Sequence, residues 1–133
     1  MASTAQQTDQ ITATVQLYID GAREGDADKL RAAVHPEARM WGSLGGQRFD
    51  VPISDMIGML DGKPVDVDGS YVATITSTQQ TDDTAEVVLA EEGFWGSVSF
   101  IDFISLAQID GEWKIVNKTF VHTGGELPAP PEG

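Results

Sequence analysis

"SFIDFISLAQIDGEWKIVNKTFVH", residues Ser99 to His122, reads as two strands joined at Asp110-Gly111. Asp-Gly favours the two-residue type I′ turn, whose twist matches the strands it connects. With that turn Ile109 stands opposite Glu112, and every later cross-strand pair follows by counting outward. One face then holds Phe100, Asp102, Ile104 and Leu106 opposite Val121, Thr119, Asn117 and Ile115, closed by Trp113. The other holds Ile101, Phe103 and Ser105 opposite Phe120, Lys118 and Val116, which leaves His122 on the outer side as well. A three-residue turn would slip the parity and make Asp102 and Lys118 an ordinary cross-strand ion pair. The even turn is preferred because it gathers Trp113, Ile115, Leu106, Ile104 and Phe100 into one core face.

On that face Asp102, Asn117 and Thr119 form a polar island in an apolar surface. Burying an unpaired carboxylate is costly, so such an island is either a hydrogen-bonded structural network or the polar patch of a cavity that meets a ligand. Both readings stay open at this level.

Working outward, "SYVATITSTQQ" and "TAEVVLAEE", separated by a turn at Asp82-Asp83, add two more strands ahead of the quoted pair. Four consecutive strands predict a strongly twisted antiparallel sheet. From Thr8 to Glu24 the apolar residues Ile11, Val15, Tyr18, Ile19 and Ala22 recur at helical spacing, and Gly25 ends the run. Asp26 then caps a short helix through Val34, with Pro36 close behind it. The glycines of "ARMWGSLGGQRFDVP" suit two brief strands about a turn, and Ser54 is expected to cap a third helix from Asp55 to Leu60. The fold class is therefore α+β: three N-terminal helices on one face of a curved sheet, as a single domain over residues 8–124. Residues 1–7 and the proline-rich 125–133 are expected to be tails that the fold does not need.

The chain has 133 residues and no cysteine, which excludes disulfides and thiolate chemistry and points to a reducing cytoplasm. No apolar run approaches the ~20 residues of a membrane span. Acidic residues outnumber basic ones 21 to 8, for a formal charge of −13, and that field disfavours nucleic acid and anionic membranes as partners. The two histidines, His35 and His122, lie too far apart in sequence to suggest a ligand pair, and "DVDGS" lacks the rest of a calcium loop. Without a phosphate-binding or dinucleotide glycine motif either, no metal and no cofactor are expected.

Among candidate site residues, Asp102 comes first, with Asn117 and Thr119 beside it on the hairpin. His35, just before Pro36, is a candidate base or a structural histidine of its turn. Tyr18 and Trp41 would supply a phenolic donor and a stacking wall, or fill the core. Met40, Met56 and Met59 read as adaptable packing, with pocket lining second.

The helix pair ending in "ADKLRAAVHPEARMWG", the short helix after a glycine-rich strand pair and the "DGEWKIVNKTF" strand together resemble the nuclear transport factor 2-like superfamily, in particular its putative lumazine-binding branch of small bacterial proteins. The resemblance covers about residues 9 to 123. It implies a cystatin-like cone, a curved sheet about three helices with a pocket at the open end, commonly dimeric through the outer sheet face. The superfamily includes isomerases, dehydratases and cyclases that place a carboxylate or histidine in that pocket, along with members of no known activity. Three functions follow in order: a protein binding a small apolar or partly polar ligand, a lyase or isomerase using Asp102 with His35 or Tyr18, and a non-enzymatic adaptor acting through the outer face. A homodimer is expected to cover Ile101, Phe103, Val116 and Phe120 on that face.

Overall fold

The computed structural model describes residues 4–127. Three helices come first or near first in the chain: α1 (Thr4–Glu24), α2 (Ala27–Ala33) and α3 (Ile53–Leu60), the last inserted after the strands β1 (Val34–Leu44) and β2 (Gln47–Pro52). The strands β3 (Val72–Thr81), β4 (Thr84–Phe94), β5 (Val98–Ile109) and β6 (Glu112–Gly124) follow. All six strands form one sheet in the order β2-β1-β6-β5-β4-β3, and the helices pack against one of its faces.

The sheet is mixed rather than wholly antiparallel, because β1 runs parallel to β6 while every other neighbour is antiparallel. The four consecutive strands β3 to β6 are antiparallel as expected; the parallel pairing enters through β1, which the expectation of an antiparallel sheet did not include. The strand after α2 starts at once, at Val34 opposite Ile115, and an irregularity before Arg39 lets it pass Pro36 and resume pairing at Asn117. Sequence patterning identifies strands but carries no information about which non-adjacent strands meet.

The helix boundaries also shift. α1 begins at Thr4, four residues before the expected start at Thr8, and Gln7 is hydrogen bonded to Gln80 of β3, so residues 4–7 are not a tail. Asp26 caps α2 as its sequence predicts, accepting the amides of Asp28 and Lys29 at 3.1 and 3.2 Å. Ser54 does not cap α3, which starts two residues earlier, at Ile53 after Pro52, without a side-chain cap. Of the expected C-terminal tail, residues 125–127 lie against the sheet end, with Ser97 Oγ donating to the Glu126 carbonyl at 3.0 Å. Residues 1–3 and 128–133 lie outside the described residues.

The β5–β6 turn forms as read from Asp110-Gly111, with φ of 52° and 83°, and the pairs from Ile109↔Glu112 to Leu106↔Ile115 are those counted from the sequence. Beyond them the register shifts: Ser105 pairs with Asn117 and Ile104 with Lys118. Val116 is the extra residue, a β-bulge that lets two residues of β6 face one of β5. Because side chains alternate with period two, this one insertion reverses the facing of everything after it on β6. Lys118, Phe120 and His122 therefore turn inward, and Asn117, Thr119 and Val121 turn outward, opposite to their expected places. β5 is unaffected, so Phe100, Asp102, Ile104 and Leu106 face the core as expected.

β1 and β6 come together closely where Gly42 faces Phe120. A Cβ on Gly42 would stand 2.5 Å from the Phe120 carbonyl oxygen and 2.7 Å from its ring. Gly42→Ala is expected to push β1 off β6 and cost about 1–3 kcal/mol, the usual range for overpacking; urea denaturation of the two proteins measures it.

Candidate functional site

Five ionisable side chains meet between the sheet and the helices: Tyr18 from α1, Tyr71 at the entry to β3, Glu91 from β4, Asp102 from β5 and Lys118 from β6. None is more than 6% exposed. Three separate strands bring the charged groups together. Leu89 pairs with Asp102 and Glu91 with Phe100, so the two carboxyl groups share the inner face on neighbouring strands. The Val116 bulge then turns Lys118 onto that same face, opposite Ile104.

Lys118 Nζ donates to Tyr18 Oη at 2.8 Å and to Met56 Sδ at 3.5 Å. The ammonium also stands 5.5 Å from the centres of the Tyr18 and Phe120 rings, a cation–π setting on two sides. Tyr71 Oη donates to Glu91 Oε2 at 2.5 Å. Asp102 Oδ2 is buried and receives no hydrogen bond from a protein N–H or O–H donor among the described residues.

The electrostatics follow from burial and neighbours. Burial raises the Glu91 carboxyl well above the ordinary carboxylate range, and repulsion by Asp102 and a hydrogen bond between the two carboxyl groups add to the rise against the opposing pull of Lys118 and Tyr71. Two carboxyl groups buried together on neighbouring strands disfavour being ionised at the same time. Burial works against the Lys118 ammonium, but Tyr18, Asp102 and Glu91 together more than reverse it, and the pKa ends above that of an ordinary lysine. Lys118 is a cation at neutral pH. Burial foremost, then the nearby carboxyl groups, hold both tyrosines above the usual phenol range as neutral donors despite the opposing effect of Lys118 on Tyr18.

A cavity of about 50 Å³ opens onto these groups, with Glu91, Asp102 and Lys118 in its lining. Its aromatic side is a chain of edge-to-face contacts, Trp95 on Phe94 at 4.8 Å, Phe94 on Phe100 at 5.1 Å and Phe100 on Phe120 at 5.9 Å. Met40, Met56 and Met59 also line it, and Met59, 49% exposed, reaches solvent. Larger grooves mark the surface, such as one of about 350 Å³ between α1 and the β5–β6 turn, but none of the buried charged residues lines it.

Of the residues singled out from sequence, Asp102 and Tyr18 belong to this cluster. Asn117 and Thr119 do not, because the bulge places them on the opposite face of the sheet from Asp102. Trp41 is 38% exposed beside Thr119 on that outer face, in a groove with Arg48, and is no wall of the inner cavity. His35 lines a different groove with Arg31 and Ser54, and its Nδ1 accepts the Glu37 amide at 3.0 Å. His122 packs on Phe100 and binds loop backbone through both ring nitrogens, with Gly45, Gly124 and Gly125 as partners. Phe120, expected on the outer face, is part of the cavity wall, while Phe103 and Val121 are exposed outside at 44% and 47%. Sequence reasoning missed Glu91, Lys118 and Tyr71. A signal for Glu91 existed: in "TAEVVLAEE" it occupies the fourth position of the alternation Ala85, Val87, Leu89, where an apolar residue is due. Nothing in the sequence announces the Val116 bulge, so Lys118 carried no such signal.

Comparison with known proteins agrees with this architecture. The sequence profile of the family described as "Putative lumazine-binding" matches residues 6–121. A characterised relative named Aldolase FrzH, from Cladobotryum sp, is 27% identical over 118 residues, covering 88% of this chain and 92% of its own. A nuclear transport factor 2-like protein of unknown function from Methylobacillus flagellatus superposes with a TM-score of 0.81 at 27% identity, over 92% of this chain and 95% of that one. Another from Silicibacter pomeroyi gives 0.82 at 22% identity, over 92% of this chain and 100% of that one. With a profile match spanning nearly all the described residues and a shared curved sheet over three helices, the chain belongs to the putative lumazine-binding family of the nuclear transport factor 2-like superfamily.

Proposed function

We propose that this protein holds a small carbonyl compound in the inner cavity and moves a proton at the carbon next to the carbonyl, the step common to aldol-type lyases and keto–enol isomerases. The observation that carries the reading is the buried Glu91–Asp102 pair, in which Glu91 is held well above its ordinary pKa by burial and by Asp102, set beside the Lys118 ammonium in a cavity with an aromatic wall. A carboxyl pair in this state both accepts and returns a proton, and a fixed cation in a water-poor site stabilises the negative charge that develops on the oxygen. In the forward step the C–H electrons form a carbon–carbon double bond, the carbonyl electrons move to oxygen, and the proton passes to the pair. The name of the relative FrzH, an aldolase, points to the same class of chemistry for that protein. Lys118 acts here as a charge, since an ammonium held above its ordinary pKa is a poor amine nucleophile. Binding without turnover is the second reading, and the small size of the cavity, about 50 Å³, favours it.

The test is exchange of carbon-bound hydrogen. In D₂O at pH 7.5 the protein is expected to accelerate deuterium incorporation next to the carbonyl of 2-indanone, followed by proton NMR. Asp102→Asn should lower that acceleration by about 10²-fold or more, the usual contribution of a positioned base. Absence of any acceleration by the wild type leaves binding alone.

The raised pKa of Glu91 has its own signature in stability. The folded pKa of Glu91 lies above its ordinary value of 4.5, so its contribution to stability is fully present below that pH and is lost as the pH rises toward the folded pKa. Glu91→Gln, which resembles the protonated acid, escapes that loss. Its melting temperature relative to wild type is therefore expected to climb from pH 4.5 to pH 8. A Glu91 that stabilised the fold as an ionised partner of Lys118 would give the opposite trend.

A further inference from the structure

Two hydrogen-bond donors in this site are aimed at one poor acceptor. Tyr18 Oη lies 3.8 Å from Met56 Sδ and Lys118 Nζ lies 3.5 Å from it, so both strong donors converge on a thioether. A thioether sulfur is a weak acceptor, and a phenol O–H and an ammonium buried at 2% and 6% exposure would each gain from an oxygen in its place. On the neighbouring strand Asp102 Oδ2, equally buried, has no donor from the protein among the described residues. The site is therefore short of one acceptor at the sulfur position and one donor at Asp102. A single molecule with an oxygen at one end of a short span and an acidic hydrogen beside it would supply both.

We infer that the Met56 sulfur occupies the binding place of a ligand oxygen, and that the ligand is a neutral, flat ketone whose oxygen displaces the thioether to lie between Tyr18 and Lys118. The inference rests on the proton-transfer reading above for the role of the adjacent hydrogen, but the oxygen site stands on its own geometry. Methionine suits a displaceable plug, since it is unbranched, turns about three bonds and adapts to irregular space. Its withdrawal also accounts for room. The cavity holds only about 50 Å³ with Met56 in place, so a bicyclic ligand enters only once that side chain swings aside.

Flatness follows from the edge-to-face wall of Phe94, Phe100 and Phe120, which offers ring edges and faces for stacking rather than a round chamber. Neutrality follows from the charges. Lys118 is already balanced by the carboxyl pair, so a ligand carboxylate would enter as an uncompensated anion beside Asp102 and Glu91, in a protein of formal charge −13. A ketone brings no charge in the ground state. The negative charge it develops on enolisation appears at the oxygen, next to the one cation.

The experiment compares 2-indanone with indane-2-carboxylate, which has the same ring system and a carboxylate in place of the ketone. Binding is read by calorimetry at pH 7.5 and by the methyl resonances of protein carrying ¹³C-methyl methionine, with the Met56 signal assigned from Met56→Leu. 2-Indanone is expected to bind at least tenfold tighter than the carboxylate and to shift the Met56 methyl signal. Met56→Ala, which leaves the oxygen place vacant, should bind 2-indanone at least tenfold tighter than wild type. Should that variant fail to fold, the methyl shift in the wild-type protein still decides. Equal or tighter binding of the carboxylate, binding of 2-indanone without movement of the Met56 signal, or no binding of 2-indanone at 5 mM each overturns the inference. Binding with the expected preference but no exchange of the ring CH₂ hydrogens in D₂O supports the oxygen site and removes the proton-transfer reading instead.

Discussion

Lys118 is the residue on which the interior depends, because it places a positive charge where two carboxyl groups from neighbouring strands also point. Removing a lysine from water costs several kcal/mol, and only partners of opposite charge or good hydrogen-bond geometry offset that cost. Here Tyr18 accepts one bond, two aromatic rings face the ammonium, and the Glu91–Asp102 pair supplies the negative charge. The same cation limits how much charge the pair can carry. Two ionised carboxyl groups beside one cation would leave the cluster with a net negative charge, which a low-dielectric interior disfavours.

That balance depends on one backbone irregularity. Had β6 continued in the register of its turn, Lys118 would lie outside with Phe103, and Asp102 would have met Thr119 and Asn117 within an apolar core. The bulge at Val116 exchanges the polar, neutral side chains for a lysine and an aromatic ring. Bulges are known as devices that re-aim side chains near functional sites, and this one exchanges a neutral hydrogen-bonding patch for a cluster of buried ionisable groups. The parallel pairing of β1 with β6 then brings Met40 next to Lys118 on the same face, while α3 supplies Met56 and Met59 from the helix side.

The surrounding fold is generic by comparison. A curved sheet over three helices is shared with many structures of low sequence identity, including proteins of unknown function, so the architecture alone does not choose between binding and catalysis. Chemistry comes from which ionisable groups are buried together. In this chain the buried charged side chains among the described residues are Glu91, Asp102 and Lys118, and they are neighbours.

Much of the fold was legible in the sequence for physical reasons that act locally. The 3.6-residue spacing of Ile11, Val15, Tyr18, Ile19 and Ala22 marks α1, the Asp26 carboxylate caps α2, and Asp110-Gly111 sets a turn whose first four cross-strand pairs follow by counting. Asp102 faces inward for the same reason, since β5 runs in uninterrupted alternation. Beyond Val116 counting fails, because an extra residue in a strand costs little locally and leaves no mark in the sequence pattern. The facing of Asn117, Lys118, Thr119 and Phe120 was decided only when β6 had to pair with β5 on one side and with β1 on the other. The partners of Tyr18 and Glu91 were settled in the same way. Their side chains face inward by periodicity, but which charges they meet depends on strand order and helix packing, and those are properties of the whole sheet.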